Sequence, residues 1–338
     1  MLIRCPYCNE TLREKRDICP YCKAYIKNEM DKISEVEAKP KYSTLFFIKE
    51  AIMSELKPEP IEMLPSKVAY RRRPRSSLRK YLIYGTLMII LGCCLIFGDL
   101  WVQYIGLTIN CFTVPIVIVA WFLQNDRYDP EPISLVVYLF GWGAIAGLLS
   151  YLINPLLYPY LGVAGGAFVE EPLKLFGVYL FAKGKVFGSG INSHLDGMIY
   201  GASVGAGFAS LENMLYLFYG NPSSIPLALL ARVTTTFCQI AWTAIAARTL
   251  GLALALRGNM KVTDLLPGLL VVIPLHFLWN SFPDFMRGWF MLPIMLLILF
   301  REVNMAVNDE VSWGFKLVGP NANRVRRRNL YEQVRHGK

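Results

Sequence analysis

The chain has 338 residues, of which 54% are hydrophobic and 18% are charged, and its mean hydropathy is +0.37. This apolar content excludes an ordinary soluble domain and predicts a polytopic membrane protein. The formal net charge is +10, and the basic residues are concentrated towards the two ends of the chain. No cleavable signal peptide is expected, because the first apolar run begins only at Tyr81.

The N-terminal segment contains two Cys-Pro-Tyr-Cys motifs. They supply Cys5, Cys8, Cys19 and Cys22, with ten residues between the two motifs. Four thiolates in two such turns suit tetrahedral Zn²⁺, and a site closed by four cysteines is structural rather than catalytic. We therefore expect a zinc ribbon over residues 1–26. Two disulfides in an exporting compartment are the alternative.

Residues 27–80 form a charged linker with one candidate amphipathic helix. Residues 42–56 have apolar side chains at helical spacing, which suits a helix on the membrane surface, a contact with the zinc ribbon or a short soluble helix. The arginine cluster at residues 71–75 precedes the first apolar span, and juxtamembrane clusters of this kind face the cytoplasm. Nucleic-acid binding is the weaker alternative, since no aromatic-rich groove accompanies the cluster.

Eight apolar spans follow, each close to the length that crosses a bilayer. We place them at residues 81–98, 101–123, 133–153, 160–182, 195–219, 226–255, 264–282 and 285–301. Lys and Arg recur in alternate loops and in the tail, so both termini are predicted to be cytoplasmic and the cysteines of the head reduced. The expected fold class is an all-α membrane bundle over residues 81–302, followed by a basic cytoplasmic tail at residues 303–338.

The fourth span carries ionisable groups at the predicted depth of the bilayer. Glu170, Glu171 and Lys174 lie in the otherwise apolar sequence FVEEPLKL. Such groups cost about 2.5–3.5 kcal/mol each on insertion scales and usually mark function. On a helix, Lys174 is four residues from Glu170 and three from Glu171, so it can reach either carboxylate. An ion pair that only fixes helix packing is the alternative.

Three further spans carry polar groups at a similar depth. Glu212 and Asn213 lie in the fifth span, Gln239 in the sixth, and His276 and Asn280 share one face of the seventh. Carboxylates, an imidazole and an amide in one dry cavity can activate water, stabilise an oxyanion or hold a second metal ion. These residues favour hydrolysis of a bond inside the membrane, above all a peptide bond. A proton or ion pathway and a non-catalytic scaffold are the alternatives.

Taken together, these motifs resemble the PrsW family of intramembrane proteases. EEPLK matches the EExxK motif of that family, and FASLEN matches its FxxxEN motif. HFLWN looks like the late HxxxN/D motif that PrsW proteins share with the CAAX prenyl endopeptidase superfamily. HLDGMIYG resembles the lead-in to FASLEN, and DRYDPEP resembles a loop before the core helices. The resemblance covers a core of about residues 126–282 and excludes the head, the linker and the tail.

The resemblance implies a membrane-embedded endopeptidase that cleaves membrane-anchored proteins, such as anti-sigma factors, to release a signal. It implies that Glu170 and Glu171 are catalytic, with one of them as the base. Glu212 and His276 would complete the site, and Asn280 would assist. The expected partners are a membrane-anchored protein substrate, the lipid bilayer and a cytoplasmic protein bound by the zinc ribbon.

The chain departs from the family pattern in the sixth span. Many relatives carry a histidine there, whereas the matching position in this chain looks like Gln239. A glutamine is a poor metal ligand and cannot shuttle protons, although it can donate a hydrogen bond to an oxyanion. The alternatives to a protease are therefore an inactive PrsW-like pseudoprotease that binds its partner and a proton-coupled or ion-coupled transporter.

Overall fold

The computed structural model describes residues 3–4, 11–12, 78–126, 131–183, 191, 193–220, 224–257 and 260–312. Near the N terminus, β1 (Ile3–Arg4) and β2 (Thr11–Leu12) pair antiparallel, with Ile3 opposite Leu12. The four cysteines of the predicted zinc ribbon, the linker as far as residue 77 and the tail after residue 312 lie outside the described residues. The zinc ribbon, the amphipathic helix and the basic tail therefore stay predictions.

From residue 78 onwards the described chain is a helical bundle. Its helices are α1 (Leu78–Leu95), α2 (Leu100–Asn125), α3 (Ile133–Leu161), α4 (Ala164–Lys183), α5 (His194–Tyr219), α6 (Ile225–Arg257), α7 (Leu265–Ser281), α8 (Asp284–Met286) and α9 (Leu292–Ser312). A 3₁₀ turn at Val262–Asp264 precedes α7, and a π-helical turn at Arg287–Met291 joins α8 to α9.

Five helical segments of the described chain are long and apolar enough to cross a membrane. They are Leu100–Asn125, Ile133–Leu161, Ile225–Leu254, Val262–Ser281 and Asp284–Val307. Helices α4 and α5 carry the acidic and basic residues discussed below and several glycines, which lower their mean hydropathy. The chain is thus an integral membrane protein, and the count of eight spans stays a prediction.

Helix α5 is the centre of the bundle. Its N-terminal two thirds are buried, and it packs against α2, α3, α4, α6 and α9. The helix begins at a capping box, in which the Ser193 hydroxyl accepts a hydrogen bond from the Asp196 N–H and the Asp196 carboxylate accepts one from the Ser193 N–H. Glycines on its surface, among them Gly201 facing α6 and Gly207 facing α3, allow the neighbouring backbones to approach closely.

The connection between α3 and α4 differs from the sequence prediction. The third span was expected to end at residue 153 and the fourth to begin at residue 160, but α3 continues to Leu161 and includes Pro155 and Pro159. Membrane helices tolerate internal prolines when neighbouring groups satisfy the freed carbonyls. The helix ends at Gly162, whose φ of 54° suits glycine and stops helical hydrogen bonding. As a result, Glu170 lies in the second turn of α4.

Candidate active site

Six of the predicted site residues form one connected set of polar side chains. They are Glu170, Glu171 and Lys174 of α4, Glu212 of α5, Gln239 of α6 and His276 of α7. All except Glu212 are buried. The predicted clustering of these groups at one depth of the bundle therefore matches the contacts between four helices, while their catalytic roles stay predictions.

Glu171 and Lys174 form the most deeply buried part of this set. The Lys174 ammonium donates a hydrogen bond to Oε1 of Glu171 over 2.6 Å, and the same oxygen lies 2.7 Å from Nδ1 of His276. A carboxylate only accepts hydrogen bonds, so Nδ1 of His276 carries a proton, and in the neutral imidazole Nε2 then has the free lone pair. The ring of Trp242 stacks on the imidazole at 4.4 Å between centroids, which fixes its plane. Glu171 therefore orients His276 and compensates the charge of Lys174.

Gln239 links the two halves of the site. Its Oε1 accepts a hydrogen bond from the Lys174 ammonium over 2.6 Å, and its Nε2 donates to Glu212 over 3.1 Å and towards Glu170 over 3.4 Å. An ammonium can only donate, so Lys174 dictates which end of the amide faces the two carboxylates. Gln239 thus presents N–H groups, rather than a lone pair, to Glu170 and Glu212.

Of the two adjacent carboxylates of α4, Glu170 is the one that lines the cavity between α3 and α5. Its Oε1 accepts a hydrogen bond of 3.0 Å from Nδ2 of Asn154. Its Oε2 lies 3.8 Å from Nε2 of His276, which is too far for a direct hydrogen bond but is a separation that one water molecule lying beside the two atoms can bridge. The arrangement can therefore hold a water between a carboxylate and an imidazole lone pair.

Glu212 and Asn213 are held by a residue of α6 outside the predicted set. Arg232 pairs with Oε2 of Glu212 at 2.8 Å and donates from Nε to Oδ1 of Asn213 over 2.7 Å. Its guanidinium also lies over the ring of Tyr216. Asn213 in turn donates to Thr236 of α6 over 2.9 Å. Asn213 therefore fixes the junction of α5 and α6 and reaches the central carboxylates only through Arg232.

Asn280 lies at the edge of the site, one turn after His276 on α7. Its Nδ2 donates a long hydrogen bond of 3.5 Å to the backbone carbonyl of Val163. The same amide nitrogen lies 3.4 Å from the Cβ position of Gly166 on α4, and Oε1 of Glu170 lies 3.3 Å from that position. It is thus positioned to donate a hydrogen bond to a group bound beside Glu170.

A cavity of about 610 Å³ opens beside the carboxylates. It is lined by Gly147, Ser150, Tyr151, Asn154, Pro155 and Tyr158 of α3, Glu170 of α4, Phe208, Glu212, Leu215, Tyr216 and Tyr219 of α5, and the following Gly220. Its volume lies within the range of about 300–1,000 Å³ that is usual for ligand sites. The tyrosines cluster near the C-terminal ends of α3 and α5, and tyrosine is enriched where membrane meets water.

A second metal ion is one of the options that the sequence leaves open for the membrane site. No three His, Cys, Asp or Glu side chains there are arranged to hold a metal ion. Between Glu170 and Glu212 lies the Gln239 amide, whose N–H groups repel a cation. The neighbouring cationic position is filled by the Lys174 ammonium. These side chains, as arranged, do not fit a metal ion, and the water-activating arrangement is the chemistry that they support.

The sequence analysis assigned none of Asn154, Arg232 and Trp242 to the site. Asn154 is an isolated amide in an apolar span, which is a recognisable signal of an intramembrane polar contact. Arg232 carries an even stronger signal as a charged residue in the sixth span. Trp242 gave no signal, because an aromatic residue in a membrane helix is ordinarily a packing residue.

Comparisons with known proteins match the membrane region of the chain to one family. Residues 131–303 match the family described as PrsW family intramembrane metalloprotease. Protease PrsW of Bacillus subtilis (strain 168) is 30% identical over 204 residues, which cover 54% of this chain and 86% of the relative. Protease PrsW of Geobacillus kaustophilus (strain HTA426) is 32% identical over 130 residues, covering 34% of this chain and 54% of that protein. No solved structure gives a significant match.

The matched region contains all eight residues of the predicted membrane site and excludes the two strands and cysteines of the head. The resemblance noted from the EEPLK, FASLEN and HFLWN segments is therefore confirmed at the level of the family. This integral membrane protein belongs to the PrsW family of intramembrane metalloproteases.

Proposed function

We propose that the chain hydrolyses a peptide bond of a membrane-anchored protein, with Glu170 as the base that activates water. One observation carries this assignment. Glu171 is paired with Lys174 and Glu212 with Arg232, whereas Glu170 is contacted by the amides of its neighbours and lines the cavity. A carboxylate paired with a fixed cation is the weaker proton acceptor, so Glu170 is the best base of the three.

The reaction uses a water molecule held between Glu170 and Nε2 of His276. Glu170 takes a proton from the water while the water oxygen forms a bond to the carbonyl carbon of the substrate. The carbonyl electron pair moves to the oxygen, and the N–H group of Asn280 stabilises the resulting oxyanion. When the intermediate collapses, the C–N bond breaks and the leaving nitrogen takes the proton from Glu170.

The other members of the network set the charge and geometry of this step. Glu171 keeps His276 in the tautomer that directs its Nε2 lone pair at the water. Lys174 compensates the charge of Glu171, and Gln239 donates hydrogen bonds to Glu170 and Glu212. No step of this reaction passes through a metal ion, because Gln239 presents N–H groups where a metal ligand would need a lone pair.

The zinc ribbon and the basic residues before the first span would link cleavage in the membrane to cytoplasmic proteins and lipid. With both termini in the cytoplasm, the zinc ribbon would bind a cytoplasmic protein, and cleavage of a membrane-anchored substrate would release a signal. The basic residues beside the first span would hold the head near anionic lipid.

The test is cleavage in cells that co-express the chain with a library of single-span membrane reporters. We expect the unaltered chain to release at least one reporter and the Glu170→Gln variant to release none. Asp99→Asn is the matched control, because Asp99 is an exposed helix cap and asparagine caps equally well. Release by Glu170→Gln would contradict the assignment. If the unaltered chain releases no reporter, the pseudoprotease or transporter alternative would take its place.

A further inference from the structure

Two residues of α3 present unpaired polar atoms beside the base. Oγ of Ser150 and Oδ1 of Asn154 are buried, and neither has a hydrogen-bond partner among the residues that the structure describes. The two residues are four positions apart, so they lie on one face of α3, and both line the cavity. Ser150 as a whole is 2% exposed.

Unpaired buried polar atoms destabilise a folded protein, so their presence at a cavity wall needs a reason. The amide orientation of Asn154 is fixed, because its Nδ2 must face the acceptor oxygen of Glu170. Its Oδ1 is therefore an acceptor, and the Ser150 hydroxyl is both a donor and an acceptor. Together they can satisfy the N–H and C=O groups of a polypeptide main chain lying along α3.

Gly166 of α4 has no side chain at a point where three polar atoms of the site converge. A Cβ atom at this position would lie 3.3 Å from Oε1 of Glu170, 3.4 Å from Nδ2 of Asn280 and 4.0 Å from Nδ2 of Asn154. The base and two amide donors therefore surround a space that a side chain would fill. Asn154 uses one of its two N–H bonds on Glu170, which leaves the second for another acceptor.

We infer that α3 binds the main chain of the substrate through Ser150 and Asn154, with the scissile carbonyl oxygen at Gly166 between the amides of Asn154 and Asn280. This inference rests on the proposed function and defines the substrate-binding part of the same site. Asn154 becomes a second oxyanion donor beside Asn280, and Gly166 becomes the residue that keeps the carbonyl position open.

The site would select substrates by their backbone conformation. An intact transmembrane helix has its N–H and C=O groups paired internally, so it has none to offer to Ser150 and Asn154. An extended segment offers both. We expect a single-span reporter with Gly-Pro at the cleavage segment to be cut at least about tenfold faster than an otherwise identical reporter with Leu-Leu. Equal rates would overturn the selection of extended segments.

The main test compares neighbouring glycines in the full-length purified chain, using a reporter that the unaltered chain cleaves. In Gly166→Ala, the added methyl group occupies the carbonyl position, and kcat should fall by about 10²-fold or more. Gly165→Ala is the control, because its Cβ would meet only side-chain and backbone atoms of Leu161 and Leu157 at 3.5 Å or more. We expect it to cleave at close to the unaltered rate.

Ser150→Ala and Asn154→Leu separate binding from folding. Ser150→Ala should raise KM while the Tm of the substrate-free protein stays unchanged or rises, because the variant removes an unpaired buried hydroxyl. Asn154→Leu should raise KM, because the main-chain contact of Oδ1 is lost, and should also lower kcat, because one oxyanion donor is lost. A purely structural role for Ser150 would instead lower Tm and leave KM unchanged.

The outcomes distinguish this inference from the proposed function. If Glu170→Gln is inactive while Gly166→Ala, Ser150→Ala and Asn154→Leu cleave normally, the substrate is bound elsewhere and the proposed function stands. If Glu170→Gln cleaves normally as well, both fail. Loss of activity in Gly166→Ala together with Gly165→Ala would mean that α4 packing was disturbed and would also overturn the inference.

Discussion

Glu170 and Glu171 are adjacent in the chain, but they contact different groups. Successive residues of a helix point about 100° apart, so one carboxylate faces the cavity and the other faces the helices behind it. Glu171 is 1% exposed and shares one oxygen between Lys174 and His276. Glu170 has Asn154 as its hydrogen-bond donor on the cavity side. Glu170 is therefore suited to accept a proton, and Glu171 is suited to orient the imidazole of His276.

This division of roles predicts that Glu171→Gln impairs catalysis through His276. The amide can hold either tautomer of the imidazole, so the fraction of molecules with a free Nε2 lone pair falls. We expect a loss of roughly 10²–10⁴-fold in the cleavage rate of a reporter. Adding His276→Ala to Glu171→Gln should cause little further loss, since both act through one group. Independent, multiplicative losses would contradict the pairing.

A second prediction concerns the buried cation. Lys174 is 0% exposed and is held by Glu171 and Gln239 beside the ring of Phe208. Lys174→Met leaves the Glu171 charge uncompensated, which should lower the free energy of unfolding by about 3–5 kcal/mol. The double variant Lys174→Met/Glu171→Gln removes both charges and should recover part of that loss. Thermal unfolding in detergent measures the stability of the single and the double variant. Equal Tm values for the unaltered chain and Lys174→Met would contradict the compensation of the Glu171 charge by Lys174.

For individual residues, the sequence predicted which ionisable side chains belong to the site better than it predicted the contacts that they make. Glu170, Glu171, Lys174, Glu212 and His276 could be found because charged or titratable side chains are rare in apolar spans. Which carboxylate faces the cavity could not be predicted, because that depends on the rotation of α4 against its neighbours.

Helix α5 connects the site to the rest of the bundle through close backbone contacts. At Gly201, an added Cβ would collide with the backbone carbonyl of Thr243 and the side chain of Ala247, both on α6. Without a hydrophobic driving force between helices in lipid, such close contacts supply much of the packing energy. The α5–α6 distance also sets how near Glu212 lies to Gln239.

We therefore predict opposite outcomes for two Gly→Ala substitutions. Gly201→Ala should force α5 and α6 apart and lower the free energy of unfolding by about 1–3 kcal/mol. Gly141→Ala on α3 should leave stability unchanged or raise it by up to about 1 kcal/mol, because no heavy atom lies within 4 Å of its Cβ position and alanine favours helix. Equal Tm values for the two variants in detergent would contradict the close α5–α6 packing.

The helices themselves were largely predictable, because their apolar runs have the length of a bilayer crossing. The end of α3 was not, since the third span was predicted to end at residue 153, before Pro155. Membrane helices tolerate internal prolines, and α3 continues through Pro155 and Pro159 to Leu161. The difference matters for function, because Asn154 and Tyr158 lie on this last part of α3 and line the cavity.

For the whole molecule, the predicted zinc ribbon and the membrane site should be separable by their metal content. Purified protein should contain one zinc ion per chain, bound by the four head cysteines. Cys5→Ser should lose it, while Cys94→Ser, which changes an exposed cysteine of α1, should keep it. Mass spectrometry of metals measures both. A full equivalent of zinc in Cys5→Ser, or a second ion that disappears in His276→Ala, would contradict the separation.

Under the proposed function, the membrane domain would carry the whole reaction, with the base on α4 and the substrate cavity between α3 and α5. The most direct measurement is the single-turnover cleavage rate of a single-span reporter by the purified full-length chain in lipid vesicles, compared with Glu170→Gln. With both proteins folded to the same Tm, we predict a fall of at least about 10²-fold. A Glu170→Gln rate within a few-fold of the unaltered rate would show that another group activates the water.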